Sequence, residues 1–261
     1  MTTSLCLEMI FTGQPFLERI ALASAAGYRA FEFWDWRNKN LPELRAISAD
    51  LGMTVTAFSG HRETAMANPL DKASLCEEVR RSLEVAMQLG ARNLMLLTDR
   101  LLPDGSAAPL PEHLSAAQKM ESVAEALMAA SELARGSGVV MVLEPLNTRL
   151  DHPGYFLDRS GPGFELVRQL NSTHAKLLYD VYHMALMGED VCAVVSANIG
   201  SIGHVHIADM PGRHEPGTGV IDYQALRETL REKGYQGSVG MEFSPASDSK
   251  TAAESAWRLF Q

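Results

Sequence analysis

Apolar positions along the chain alternate between two patterns. Short unbroken runs, of the kind expected for strands covered on both faces, alternate with longer stretches whose apolar residues recur at helical spacing. The short runs predict strands at residues 5–10, 30–33, 53–58, 93–97, 139–143, 176–179, 202–207 and 238–243. The longer stretches predict helices at 16–26, 41–51, 71–89, 111–135, 163–170, 190–198, 223–233 and 252–260. In the third of these, Leu75, Val79, Leu83 and Ala86 share one face. Gly27, Gly52, Gly90 and Gly234 stand where helices commonly end on a left-handed residue.

Eight strand–helix units in strict alternation predict an α/β fold, a single (β/α)8 TIM barrel over residues 1–261, a length that suits that architecture. The competing arrangement, an open doubly wound sheet, carries a glycine-rich phosphate loop after its first strand, and Met9-Ile10-Phe11-Thr12-Gly13 offers none. The irregular stretches at 98–111, 147–160 and 209–220 all follow strands, on the face where barrel active sites are built.

Composition narrows the partners. With 23 Lys and Arg against 32 Asp and Glu, the net charge is −9, which argues against a surface that tracks nucleic acid. The three cysteines, Cys6, Cys76 and Cys192, form no C-x-x-C pair and predict buried reduced thiols in a cytoplasmic protein. Residues 1–10 have no basic segment leading into a long apolar run, and no apolar stretch approaches the ~20 residues of a membrane span, so no membrane partner is expected.

The chemistry is concentrated at the ends of the last four predicted strands, in Val142-Leu143-Glu144, Leu178-Tyr179-Asp180, His204-Val205-His206 and Gly240-Met241-Glu242. In a barrel these ends converge on one mouth, where unpaired carboxylates repel and resist desolvation. A divalent cation removes that cost. Glu144, Asp180, His206 and Glu242 form a hard, oxygen-rich ligand set that suits Mn²⁺ or Mg²⁺, with Co²⁺ or Zn²⁺ as further candidates. His204 and His206 point to the same side of a regular strand. His206 lies nearer the mouth and is the expected ligand, whereas His204 is expected one layer deeper as a packed or supporting residue.

Further polar groups surround this set. Asp180 and His183 form a D-x-x-H motif that turns His183 back over the mouth to donate to a substrate oxygen. Arg213 sits in the Gly- and Pro-rich segment 211–219, where a planar cation is placed to clamp a carboxylate or a pair of hydroxyls. His61 and Trp34, which follow the third and second strands, are candidates to line the mouth and touch substrate. Met9, Met66, Met184 and Met187 read as core filler.

At these residues the sequence resembles the hydroxypyruvate isomerase family, within the xylose-isomerase-like barrels that include D-tagatose 3-epimerase. The resemblance runs the length of the chain. It is strongest in Leu143-Glu144-Pro145-Leu146-Asn147-Thr148-Arg149, Pro153-Gly154-Tyr155-Phe156-Leu157, Tyr179-Asp180-Val181-Tyr182-His183-Met184, Gly203-His204-Val205-His206-Ile207-Ala208-Asp209, the 211–219 loop and Gly240-Met241-Glu242. It implies a metal-assisted isomerase in which Glu144, Asp180, His206 and Glu242 hold the ion, Glu144 and Glu242 form the acid/base pair, and His183 and Arg213 contact substrate oxygens. It also implies a homo-oligomer. Two departures bear on substrate. Hydroxypyruvate isomerases commonly carry Gln where this chain has His206, as the epimerases do not. The segments Phe33-Trp34-Asp35-Trp36-Arg37-Asn38-Lys39-Asn40 and Ser59-Gly60-His61-Arg62 also differ from those of a typical hydroxypyruvate isomerase.

The expected reaction is proton transfer between adjacent carbons through an enediolate, with hydroxypyruvate going to tartronate semialdehyde. A ketose 3-epimerase, or an isomerase of another short keto sugar or keto acid, is the alternative on the same ligands. A three-zinc nuclease would need more His and carboxylate ligands in the first four units and a basic surface. A non-catalytic sugar-binding barrel would have no use for an intact acid/base pair.

Overall fold

The computed structural model describes residues 1–261. Nine strands and nine α-helices follow in the order β1 (Thr2–Cys6), α1 (Phe16–Ala25), β2 (Ala30–Glu32), α2 (Leu41–Asp50), β3 (Thr54–Val55), β4 (Ala57–Ser59), α3 (Lys72–Leu89), β5 (Asn93–Leu97), α4 (Ala116–Leu133), β6 (Val140–Glu144), α5 (Ser160–Leu170), β7 (Ala175–Asp180), α6 (Val181–Leu186), α7 (Val191–Asn198), β8 (Ile202–Ile207), α8 (Tyr223–Glu232), β9 (Ser238–Met241) and α9 (Ser249–Leu259). Every strand pair is parallel, in the order β3-β2-β1-β9-β8-β7-β6-β5-β4.

The two ends of that order belong to one stretch of chain, the third predicted strand. Thr56 interrupts it, yet carries the ladder across: its N–H donates to the Phe31 carbonyl at 2.9 Å and its carbonyl accepts from Asn93 N at 3.0 Å. Ser59 N then donates to the Trp34 carbonyl at 3.0 Å, which joins β4 to the chain beyond β2. The strands thus form the expected eight-unit barrel, with its third unit split.

Alternation along each strand sorts side chains to two sides. Leu5, Phe31, Leu94, Leu96, Leu143, Leu177, Val205 and Val239 face the helices and belong to the main apolar core. A separate group of Ala57, Met95, Val142 and Leu178 packs on the inner side. The interior also holds Ser4, Glu32, Thr56 and His204, all buried, an unusually polar filling for a barrel usually packed with branched apolar side chains. Met66, Met184 and Met187 are core residues, and Met9 packs half-buried against the main core.

Several boundaries differ from the sequence expectation. The first strand stops at Cys6 because the chain turns there, Met9 N donating to the Cys6 carbonyl. Leu7 and Ile10 are buried all the same, so an apolar run stood for core contact and not for extended backbone. Helix α4 starts at Ala116 rather than residue 111, where Ser115 and Gln118 form a reciprocal capping box. The short helix α6 carries no apolar periodicity of its own: Asp180 accepts from His183 N at 2.9 Å and caps a helix directly on the strand end. No helix is long and apolar enough to cross a membrane.

Gly240, on β9, faces the buried Glu32. A Cβ at that position would lie 2.1 Å from Glu32 Oε1. Gly240→Ala is expected to destabilise the protein by about 1–3 kcal/mol through overpacking. Thermal unfolding checks this, and an unchanged Tm would contradict the close approach.

Candidate active site

The carboxyl ends of β6 to β9 bring four ionisable side chains together. Glu144 is the last residue of β6, Asp180 the last of β7, His206 the fifth of β8, and Glu242 follows β9 directly. One ligand atom from each lies within 4.8 Å of the others, and all four residues are buried. His206 Nδ1 is 3.5 Å from Glu144 Oε1, 3.6 Å from Glu242 Oε2 and 3.9 Å from Asp180 Oδ2. These separations are too long for good hydrogen bonds, and Nδ1 is buried without a hydrogen-bond partner. Three carboxylate oxygens and one imidazole nitrogen around a shared centre are what a hard divalent ion takes, and ligand bonds of about 2.0–2.6 Å leave neighbouring ligand atoms at comparable spacing. The residues therefore fit a divalent ion.

Burial and mutual repulsion shape the protonation of the cluster. Burial, with the Glu144 charge beside it, pushes Asp180 up to about 7 against the opposing pull of Arg213 and His206. Burial also works to raise Glu242, but the charges of His206 and Arg213 and a hydrogen bond from Trp34 outweigh it and hold Glu242 below the usual carboxylate range. For His206 burial opposes the charge, yet Glu242 and Glu32 lift it well above the ordinary imidazole range. Both shifts favour keeping a proton on Asp180 and on His206.

The flanking residues divide by what they touch. Trp34 Nε1 donates to Glu242 Oε1 at 2.8 Å, and Arg213 Nη2 donates to Glu242 Oε2 at 2.6 Å. The Arg213 guanidinium also lies 5.4 Å from the centre of the Tyr182 ring. Arg213 adopts φ 55°, a left-handed conformation that is costly for arginine, and Ser244 N fastens its carbonyl at 2.8 Å. The loop around it is built on Asp209, whose carboxylate accepts from the backbone N–H groups of Met210, Gly217, Gly219 and Ile221. A Cβ at Gly219 would lie 2.1 Å from the Met210 carbonyl oxygen.

His183 Nδ1 lies 2.5 Å from the amide nitrogen of Asn147, which therefore donates to it. Asn147 is itself tied to Asp151, which also accepts from Tyr182. With Nδ1 accepting, Nε2 carries the proton. It lies 3.7 Å from Asp180 Oδ2 and has no hydrogen-bond partner. Burial, then the positive charge of Arg213 and His152, holds His183 well below the ordinary imidazole range, so it is a neutral donor facing the cluster.

His61 differs from the expectation of a substrate contact. Its Nδ1 faces the Thr64 carbonyl at 3.2 Å, and Leu97 N donates to its Nε2 at 3.2 Å. Both nitrogens are used by backbone, and burial pulls it down to about 4, so the ring joins two loops as a neutral strut. His204 lies one layer below His206, its Nε2 2.9 Å from Glu32 Oε2. Sequence reading passed over Glu32, Asn147, Asp151 and Tyr182. For Glu32 a signal existed: a lone acid inside the apolar run Ala30-Phe31-Glu32-Phe33. The other three sit in a loop and in an unrecognised helix turn, where no periodicity marks them.

A parallel barrel whose carboxyl mouth gathers three carboxylates and an imidazole that could hold a metal ion is the architecture of xylose isomerase-like barrels. The chain belongs to the xylose isomerase-like TIM barrel family, whose model matches residues 20–260. It is 32% identical over 259 residues to 2-oxo-tetronate isomerase of Cupriavidus necator, covering 96% of this chain and 95% of that protein. It is 27% identical over 247 residues to hydroxypyruvate isomerase of Escherichia coli, covering 92% of each. Among solved structures, one described as an AP endonuclease of family 2 from Brucella melitensis has a TM-score of 0.85 at 26% identity and covers 98% of each chain. The relatives show an isomerase-type enzyme.

An ion bound by the cluster would compete with the protons that Asp180 and His206 are disposed to keep. The affinity for Mn²⁺ is therefore expected to fall about tenfold or more per unit as pH drops below about 7. Mn²⁺ titrations at several pH values from mildly acidic to mildly alkaline check this. An affinity independent of pH would contradict the proton balance.

Proposed function

We propose that the protein is a divalent-metal-dependent isomerase of short 2-oxo-3-hydroxy acids. Hydroxypyruvate, converted to tartronate semialdehyde, is the first candidate substrate, and 2-oxo-tetronate, one carbon longer, presents the same reacting atoms. The observation that carries this reading is His206 Nδ1, buried and unpartnered among the oxygens of Glu144, Asp180 and Glu242. Mn²⁺ or Mg²⁺ suits this set best. When bound, the ion polarises the substrate carbonyl as a Lewis acid and so acidifies the neighbouring C–H.

The side chains supply the remaining steps. The Glu144 carboxylate accepts no hydrogen bond from a side chain or backbone donor in the protein, so its lone pairs are free to take the C3 proton. The electron pair left behind forms the enediolate, the hydroxyl proton passes to the former carbonyl oxygen, and Glu144 returns its proton to C2. His183 Nε2–H donates to a substrate oxygen and stabilises the charge that builds there. Arg213, at the mouth, holds the substrate carboxylate. Glu242 is placed differently from Glu144. Trp34 and Arg213 occupy both its oxygens, which suits an ionised ligand better than a mobile base.

That asymmetry favours an isomerase with one base on one face. A ketose 3-epimerase needs a second base on the opposite face. His206, a feature shared with the epimerases, is what keeps that second reading open to test. The nuclease description of the Brucella structure finds no support in a chain of net charge −9.

The experiment is turnover by metal-stripped protein in D₂O, reconstituted separately with Mn²⁺, Mg²⁺, Co²⁺ and Zn²⁺. It is offered hydroxypyruvate, 2-oxo-tetronate and a panel of ketoses. Metal-dependent carbonyl migration in a keto acid is expected. Inversion beside an unmoved carbonyl of a ketose would make the protein an epimerase.

Glu144→Gln is expected to lower kcat by a factor of about 10²–10⁴. Near-wild-type turnover would remove Glu144 from the proton transfer. Arg213→Ala should raise KM more for the keto acid than for a neutral ketose, and equal effects would remove the carboxylate clamp.

A further inference from the structure

Below the cluster lies a carboxylate that the chemistry above does not use. Glu32, the last residue of β2, is 1% exposed. A carboxylate at that depth is costly unless it is paired and hydrogen-bonded. Its Oε2 lies 2.9 Å from His204 Nε2 and accepts from Ser4 Oγ at 3.0 Å and Thr56 Oγ1 at 3.2 Å. Its Oε1 lies 3.1 Å from His206 Nε2. The donors come from β1, from β8 and from the break between β3 and β4, and Gly240 leaves the space that Oε1 fills.

Glu32, His204 and His206 form a second compact group of possible ligands. The 2.9 Å hydrogen bond between His204 and Glu32, and a 3.1 Å gap between His206 Nε2 and Glu32 Oε1, leave no room for a second ion between them. The consequence for His206 is different. An imidazole has two nitrogens, and Glu32 Oε1 lies 3.1 Å from Nε2, at ion-pair distance though without the alignment of a hydrogen bond. That leaves Nδ1 as the nitrogen presented to Glu144, Asp180 and Glu242. His204, Ser4 and Thr56 hold the other carboxylate oxygen, so Glu32 cannot rotate away.

We infer that Glu32 is a positioning residue for the ion site: it takes the Nε2–H of His206 and thereby fixes ring orientation and tautomer so that Nδ1 faces the three carboxylates. The inference rests on the metal reading of the cluster. A carboxylate behind a ligating histidine typically affects metal affinity 10–100-fold, so removal of this one has a measurable signature.

The test is Mn²⁺ binding to apo wild type and apo Glu32→Gln, with circular dichroism and thermal unfolding of both. Glu32→Gln is expected to keep the fold and bind Mn²⁺ about 10–100-fold more weakly. A folded variant that binds Mn²⁺ within twofold of wild type would overturn the inference, even if its Tm is lower, because a purely structural role moves Tm alone. Imidazole nitrogen resonances of wild-type protein loaded with Zn²⁺ give a second readout that does not depend on the variant's folding. The proton on Nε2 of His206 with the ion on Nδ1 supports the inference, and the reverse arrangement overturns it. Wild-type protein that binds no divalent ion would overturn the metal reading and this inference together. Wild type that binds, beside a variant that binds equally, overturns this inference alone.

Discussion

The structure turns on the repulsion among Glu144, Asp180 and Glu242, three carboxylates buried around one imidazole nitrogen. Unbalanced, that arrangement would work against folding. The barrel imposes it, because the parallel strands β6 to β9 deliver their last residues to the same opening. Each neighbouring feature moderates the charge: Arg213 and Trp34 on Glu242, His206 in the centre, the neutral His183 beside Asp180. Under the proposed reading a divalent ion would take the place of the protons that Asp180 and His206 are disposed to keep, which would link the protein's pH response to its chemistry.

Two glutamates that look equivalent in sequence differ in their surroundings. Glu242 is clamped from both sides, and its partners arrive from far along the chain, Trp34 after β2 and Arg213 in the loop organised by Asp209. Glu144 has no such donors. This gives a physical basis for the separate roles proposed for them, a fixed ionised ligand and a proton carrier. The same contacts link substrate choice to chemistry. The Arg213 guanidinium that would hold a substrate carboxylate also holds Glu242, so changes in its loop reach both.

Much of this was legible in the sequence, for physical reasons. Buried parallel strands must be apolar on both faces, so Glu144, Asp180, His206 and Glu242 stand out as polar ends of apolar runs. The same rule misled at residues 5–10, where Leu7 and Ile10 are apolar because they pack, although the backbone has already turned. Glu32 is marked in sequence as a lone acid inside the apolar run 30–33, but its role is not, because its partners Ser4, Thr56, His204 and His206 come from three other parts of the chain. His61 had the right residue type in the right loop, but its nitrogens close backbone hydrogen bonds, which only the folded geometry reveals. Asn147, which sets the tautomer of His183, is an ordinary loop residue until the two side chains meet.

The most direct test of the account is to locate an ion. Crystals of the protein soaked in Mn²⁺ should show one anomalous-scattering peak bounded by Glu144, Asp180, His206 Nδ1 and Glu242, with Glu32 still on His206 Nε2. A structure in which Mn²⁺ is absent at saturating concentration, and the carboxylates instead share protons with one another, would contradict it.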